Sequence, residues 1–336
     1  MSNCTKIVMR GIVASTLILM IGSALVWALP FPSGPGDDNR PSLAVFRIWV
    51  MPQFRPLVAS LGLPPCGSQI TEMGCYDGAT PFRLTSSVLF DGATIIGRSN
   101  PHTHGSPADG GTTVGSANPV TVGDGHFTVV PLGFQGPTGR TEIHTAVASM
   151  VMTSPIALGP MIRAGHALGL PLCPGEVESK AGTDLPGQSF FDVFVEVTIP
   201  QLGTPPTDAI VTNSTALLIV NDSLDSLPPT VVYIHDNSTA VPVSFANSNP
   251  GYWNAGDLLG YLVLAGHGIS YNANKQAGLS EFLQIMNDHL AADGEMPLPG
   301  QVPVLTEWGM IIVCFLLLGS AVWVTVRLRR RVVARR

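Results

Sequence analysis

Ser189-Phe-Phe-Asp-Val-Phe-Val-Glu-Val-Thr-Ile199 decides the fold class. Phe191, Val193, Val195 and Val197 fall on one face of an extended chain, and Asp192, Glu196 and Thr198 on the other. That two-residue period is the mark of a half-buried β-strand, because successive side chains leave a strand on opposite sides. Working outward, further strands are expected at 141–152, 216–220, 231–235, 241–245 and 258–264. Upstream, the runs 85–90 and 93–98 flank Asp91-Gly92, and 119–122 and 126–132 flank Asp124-Gly125. Asp-Gly between apolar runs suits a type I′ hairpin turn, which needs positive φ at both central residues. Many short strands parted by Gly, Pro, Asn and Asp, with no strand–helix alternation and no internal repeat, predict a mainly β fold. Its architecture is expected to be an antiparallel β-sandwich or barrel-like body.

The remaining segments read as connections and one helix. Residues 29–40 are Pro- and Gly-rich and read as a flexible leader, while 42–63 suits a first strand or a short helix. Residues 100–118 form a long exposed loop, and 158–185 is irregular, with prolines on either side of Cys173. Leu279, Phe282, Leu283, Met286 and Leu290 trace one apolar stripe of a late amphipathic helix packed on the sheet. Ser280 is placed to cap its start and Gly294 falls just past its end. A proline-broken spacer, 294–303, follows.

Both ends point to export. Lys6 and Arg10 precede an uncharged apolar run, 11–26, and Val26 and Ala28 fit a cleavage site before Leu29, so 1–28 reads as a signal peptide. At the other end the apolar run 310–326 is long enough for a transmembrane helix. Arg327, Arg329, Arg330, Arg331, Arg335 and Arg336 follow it and hold the C-terminus in the cytoplasm. The formal charge of −6 understates the acidity of the body, since both ends are basic. An acidic body is the wrong sign for nucleic acid. Cys66 and Cys75 bracket a short loop that a disulfide would close, leaving Cys173 as a buried free thiol. The expected division is signal peptide 1–28, leader and loop 29–80, β-rich ectodomain 81–274, helix and spacer 275–302, and tail 303–336.

The tail carries a motif. Val302-Pro303-Val304-Leu305-Thr306-Glu307-Trp308-Gly309 resembles the Ile-Pro-Thr-Leu-Ser-Glu-Trp-Gly opening of IPTL-CTERM sorting domains, of the PEP-CTERM type. Pro303, Leu305, Glu307, Trp308 and Gly309 match at fixed spacing, with Val302 in place of Ile and Val304 in place of Thr. The motif, single apolar helix and terminal basic cluster come in that family's order. The resemblance implies an exported bacterial protein whose tail is handled at the membrane by an exosortase-type sorting or processing enzyme.

The body shows no familiar catalytic spacing. His102 and His104 in Pro101-His-Thr-His-Gly105 form an i, i+2 pair that can point two imidazoles one way. A third metal ligand would have to come from elsewhere, such as His126 or His144. No His-Glu-x-x-His spacing accompanies them, and in a Gly-rich loop they read as two exposed histidines. His166 and His267 each sit beside glycine without a nucleophile elbow, and no Walker or dinucleotide fingerprint occurs. Asp192 and Glu196 read as the polar face of a surface strand, and Asp222 and Asp225 as a turn. Asn213, Asn221 and Asn237 match the glycosylation acceptor pattern but read as polar turn residues. No catalytic, cofactor-binding or metal-ligating residue is therefore assigned. The function expected is that of a non-enzymatic, exported cell-surface or envelope protein anchored by its tail, its ligand unknown. The alternative is an anchored extracytoplasmic hydrolase of carbohydrate or peptide.

Overall fold

A computed structural model of the chain describes residues 30–60, 69–70, 75–76, 85–134, 138–154, 159–180, 184–235, 240–271 and 276–294. The signal peptide, the Cys66–Cys75 bond, Asn237, the spacer beyond Gly294, the motif at 302–309 and the apolar run lie outside the described residues. Among the described residues, no helix is long and apolar enough to cross a membrane.

The strands are β1 Gly36–Val50, β2 Cys75–Tyr76, β3 Thr85–Arg98, β4 His102–Thr103, β5 Thr112–Val114, β6 Val120–Val122, β7 Thr141–Thr153 and β8 Met161–Ala164. Then come β9 Cys173–Ser179, β10 Gly187–Val193, β11 Val195–Leu202, β12 Thr207–Asn213, β13 Leu217–Leu224, β14 Val231–His235, β15 Val241–Phe245 and β16 Leu258–Ile269. Four long strands, β1, β3, β7 and β16, make one continuous wall. The opposite wall is made of strands broken in the middle. β8 and β9 together run along β7. β11 and β10 run along that pair, β12 and β13 along the next, and β15 and β14 along the next. β14 and β15 both pair with β16, which pairs with β1. Every stave is antiparallel to its neighbours, and the last pairs with the first. The sheet is thus an eight-staved up-and-down barrel.

The interior is filled by the apolar alternation. Phe191, Val193, Val195 and Val197 all point into one buried cluster with Phe46, Phe90, Met150, Met152, Tyr233, Phe245 and Leu262. Phe46 meets Phe90 at 5.9 Å between ring centroids, and Phe191 meets Tyr233 at 5.3 Å. Burial of each such side chain contributes about 1.5–3 kcal/mol. The helix Gln276–Ala292 lies on the outer face, where Leu279, Phe282 and Met286 pack on Leu43, Val45 and Leu264. It can approach because β16 presents Gly266 and Gly268 there; a Cβ on Gly268 would stand 2.7 Å from Phe282.

Several expectations change. Asp91-Gly92 is not a turn but the middle of β3. Gly92 lies opposite Met152, and a Cβ there would collide with the Val151 carbonyl and come within 2.7 Å of the Met152 Cα, so the glycine serves close strand approach. Asp124-Gly125 opens a single 3-10 turn, Asp124–His126, and β6 pairs backward with β5. The leader is ordered from Gly36, which pairs with Arg98, so β1 is a barrel stave. Both readings of 42–63 hold in part, since β1 gives way to a short helix, Arg55–Ala59. The stretch 158–185 contains β8 and the wholly buried β9; Pro174 falls outside the β9–β10 ladder, where a missing N–H is tolerated. Ser280 lies inside the helix rather than at its cap, while Gly294 follows its end at φ 77°.

Candidate metal centre

Between β3 and β7 the chain leaves the barrel and folds back over the outer face of β7, β9 and β10 as a cap. Val114 and Val122 of the β5–β6 hairpin pack on Ala146. Phe190 of β10 is held edge-on between Phe127 and Phe134, at 5.0 and 4.8 Å. Asp192, expected on an exposed face, is fully buried and accepts the backbone N–H groups of Thr128 at 2.5 Å and Val129 at 2.9 Å. It pins the cap to the wall.

Under the cap, sheet register brings ionisable residues into rows. Glu142 lies opposite Glu178, which lies opposite Gln188; His144 lies opposite Glu176, which lies opposite Phe190. The cap adds His102, His104, Asp109 and Asp124. Glu142 Oε1 is 3.0 Å from His102 Nε2 and 3.9 Å from His144 Nε2, and its Oε2 is 2.8 Å from His104 Nδ1. Asp124 Oδ1 is 3.2 Å from His144 Nε2, and Asp109 Oδ1 is 3.6 Å from His102 Nε2. The rings of His102 and His144 meet edge to face at 4.5 Å. His102 Nδ1 is 3.2 Å from the Asn100 carbonyl, which holds a proton on Nδ1 and turns Nε2 toward Glu142. His144 is oriented likewise by Thr112 Oγ1, 3.2 Å from Nδ1.

Glu178 has one oxygen, Oε2, held by Arg140 at 3.1 Å and Gln188 at 2.6 Å, and the other without a hydrogen-bond partner among the described residues. Glu176 is different. It is fully buried, and neither carboxylate oxygen has a hydrogen-bond partner in bonding geometry among the described residues. Among its polar neighbours is another carboxylate, Glu142. Burial, then the charges of Glu142, Asp124 and Glu178, push it up to about 9. Burial also raises Glu142, although its bonds to His102 and His104 pull the other way. His144 is lowered by burial and by the charge on His102. Four overlapping triads have donor atoms within 4.8 Å of one another: His102–Glu142–His144, His104–Glu142–Glu176, His104–Asp109–Asp124 and Asp124–His144–Glu176.

The structure therefore revises the reading of the histidine pair. His102 and His104 are not exposed; each side chain is 9 % accessible and bonded to Glu142. Of the two proposed third ligands, His144 joins them and His126 turns back on Gly123. His166 bonds the Asn118 carbonyl, and His267 faces the barrel interior with Nε2 3.0 Å from Thr94 Oγ1. Glu196 pairs with Arg163 at 3.2 Å, so Asp192 and Glu196 share no site. Asp222 lies in β13 rather than a turn. Asn213 is buried and bonds Val195, Val193 and Thr215, which removes it as a glycosylation acceptor in the folded chain. Cys173 is a free, buried thiol as expected, pushed up to about 11 by burial.

Fold and site together define a closed antiparallel barrel with a capped centre of carboxylates and imidazoles on its outer wall. Comparison with protein-family models, curated proteins and solved structures finds no match.

Proposed function

We propose that this is an exported envelope protein, delivered and held by its C-terminal signal, whose barrel carries a divalent transition-metal centre. The observation that carries the reading is Glu176. A fully buried carboxylate with two unpartnered oxygens is costly, and proteins keep such groups where a cation or a reaction needs them. Imidazole nitrogens mixed with carboxylate oxygens, with no thiolate among them, suit Zn2+, Mn2+ or Fe2+ better than Ca2+ or Cu+. The sorting reading rests on the 302–309 motif, the apolar run and the arginines after it. It implies a membrane and an exosortase-type enzyme as partners, and a body outside the cytoplasm.

Elemental analysis of the purified full chain after gel filtration tests the centre. Bound metal is expected, and a His102→Ala/His104→Ala/His144→Ala triple variant should lose it. A wild type that elutes metal-free after incubation with Zn2+ and Mn2+ would sink the reading. Protease added to spheroplasts should remove the body; protection until the inner membrane is broken would refute the topology.

One observation favours a second reading, the extracytoplasmic hydrolase. Asp124 is 29 % accessible while its neighbours Glu142 and His144 are buried, so the centre has an open side through which a substrate could reach a metal-bound water. Turnover of chromogenic glycosides or peptides that is abolished by chelation would support it.

A further inference from the structure

Resting on the reading that this cluster binds metal, we propose that it is a two-metal centre bridged by Glu142. The two oxygens of Glu142 serve different histidines. Oε1 faces His102 and His144, and Oε2 faces His104. The triads His102–Glu142–His144 and His104–Glu142–Glu176 have only Glu142 in common. A carboxylate presenting one oxygen to each of two ligand sets is the geometry of a bridge, and paired ions in such sites stand about 3.5–4 Å apart.

Donor number and charge point the same way. His102, His104, His144, Asp109, Asp124, Glu142 and Glu176 exceed what one ion can take, whether it is tetrahedral with about four ligands or octahedral with about six. The four carboxylates of this set carry four negative charges when ionised. Two divalent ions neutralise them with the imidazoles neutral, whereas one ion would leave a net double negative charge around the fully buried Glu142 and Glu176. Such residual charge in a low-dielectric site is strongly unfavourable. Glu178 stays outside the count because Arg140 and Gln188 already satisfy one of its oxygens.

The two sites also differ in who supplies them. His102 comes from the cap and His144 from β7; His104 comes from the cap and Glu176 from β9. Each ion therefore ties the cap to a different stave, and Glu142 joins the two ties.

The test is metal stoichiometry and magnetic coupling on the full chain, stripped with chelator and titrated with Mn2+. Two ions per chain are expected, with an electron paramagnetic resonance signal of exchange-coupled Mn2+. His104→Ala should reduce binding from two ions to one and abolish the coupling, while leaving the His102–Glu142–His144 site filled. The wild-type measurements stand even where a variant fails to fold. One ion per chain in the wild type overturns the two-metal centre but leaves the metal reading intact. No bound ion overturns both. Two ions without coupling overturn the Glu142 bridge.

Discussion

Replacing Glu176 by glutamine should make the metal-free protein more stable and the metal-loaded protein less so. Burial and neighbouring carboxylates hold the Glu176 carboxyl up near 9, against an ordinary 4.5. A folded-state value above the unfolded one means that the stability is fully present below about pH 4.5 and is lost as pH rises toward 9. At pH 7 the unfolded chain ionises freely and the folded chain does not, a penalty of roughly 3 kcal/mol at about 1.4 kcal/mol per pH unit. A glutamine in its place does not ionise, and its amide makes demands for partners similar to those of a protonated carboxyl. Metal-free E176Q should therefore gain roughly 3 kcal/mol at pH 7, or about 6–12 °C in Tm for a domain of this size. The gain should shrink to under about 1 kcal/mol at pH 5. Metal reverses the order, because an ion at about 1,000 times its Kd stabilises by about 4.1 kcal/mol only the chain that binds it. Thermal unfolding of both proteins across pH 5–9, with chelator and with Zn2+, reads all of this. A metal-free variant no more stable than wild type at pH 8, or equal stabilisation of both by Zn2+, would refute the reasoning.

Burial holds His267 at about 4, and burial with the charge of His289 holds His235 at about 4, both below the ordinary 6.5. Their contribution is intact above about pH 6.5 and is lost as pH falls to about 4, up to roughly 3 kcal/mol each; urea midpoints should drop over that range, and His267→Asn should flatten the curve. An unchanged slope in the variant would exclude His267 as a source. Asp192→Ala strands the N–H groups of Thr128 and Val129 and should cost the cap about 2 kcal/mol, seen as faster hydrogen exchange at 127–134 than in β1 or β16. Uniform exchange across the chain would show that Asp192 does not pin the cap. Gly266→Ala pushes a methyl group against Met286 and should destabilise by about 1–3 kcal/mol, measured by denaturant unfolding. Alanine at Pro303, Trp308 and Gly309 together should leave membrane insertion intact but block maturation, with full-length chain accumulating in the inner membrane; equal processing would reduce the tail to a plain anchor.

The parts of the fold that were legible are those where burial alternates. Phe191, Val193, Val195 and Val197 face the barrel interior as their spacing requires, and 231–235 and 241–245 are strands over the expected residues. Asp91-Gly92 misled because a glycine chosen for close strand packing carries the same letters as a turn. β9 was hidden by Pro174 and Gly175, which made the stretch read as irregular. The site was half legible. The histidines were visible as a pair in search of a third ligand, but Glu142 and Glu176 were not. Their role depends on register, which sets His144 opposite Glu176 from strands distant in sequence. The available signal was a chemical alternation, Glu142-Ile143-His144 and Glu176-Val177-Glu178, charged at every second position within otherwise apolar strands.

Closure of the barrel bears on what can happen between copies of this protein. An open sheet ends in strands with free N–H and C=O groups, and those edges recruit strands from other chains. Here β16 hydrogen-bonds β1, so the eight staves present no such edge among the described residues. Wherever copies of the chain meet, strand-to-strand zipping through the barrel is closed off. Association then falls to side chains, on surfaces such as the cap, whose Leu132 is wholly exposed, and to short strands outside the barrel such as β5 and β6.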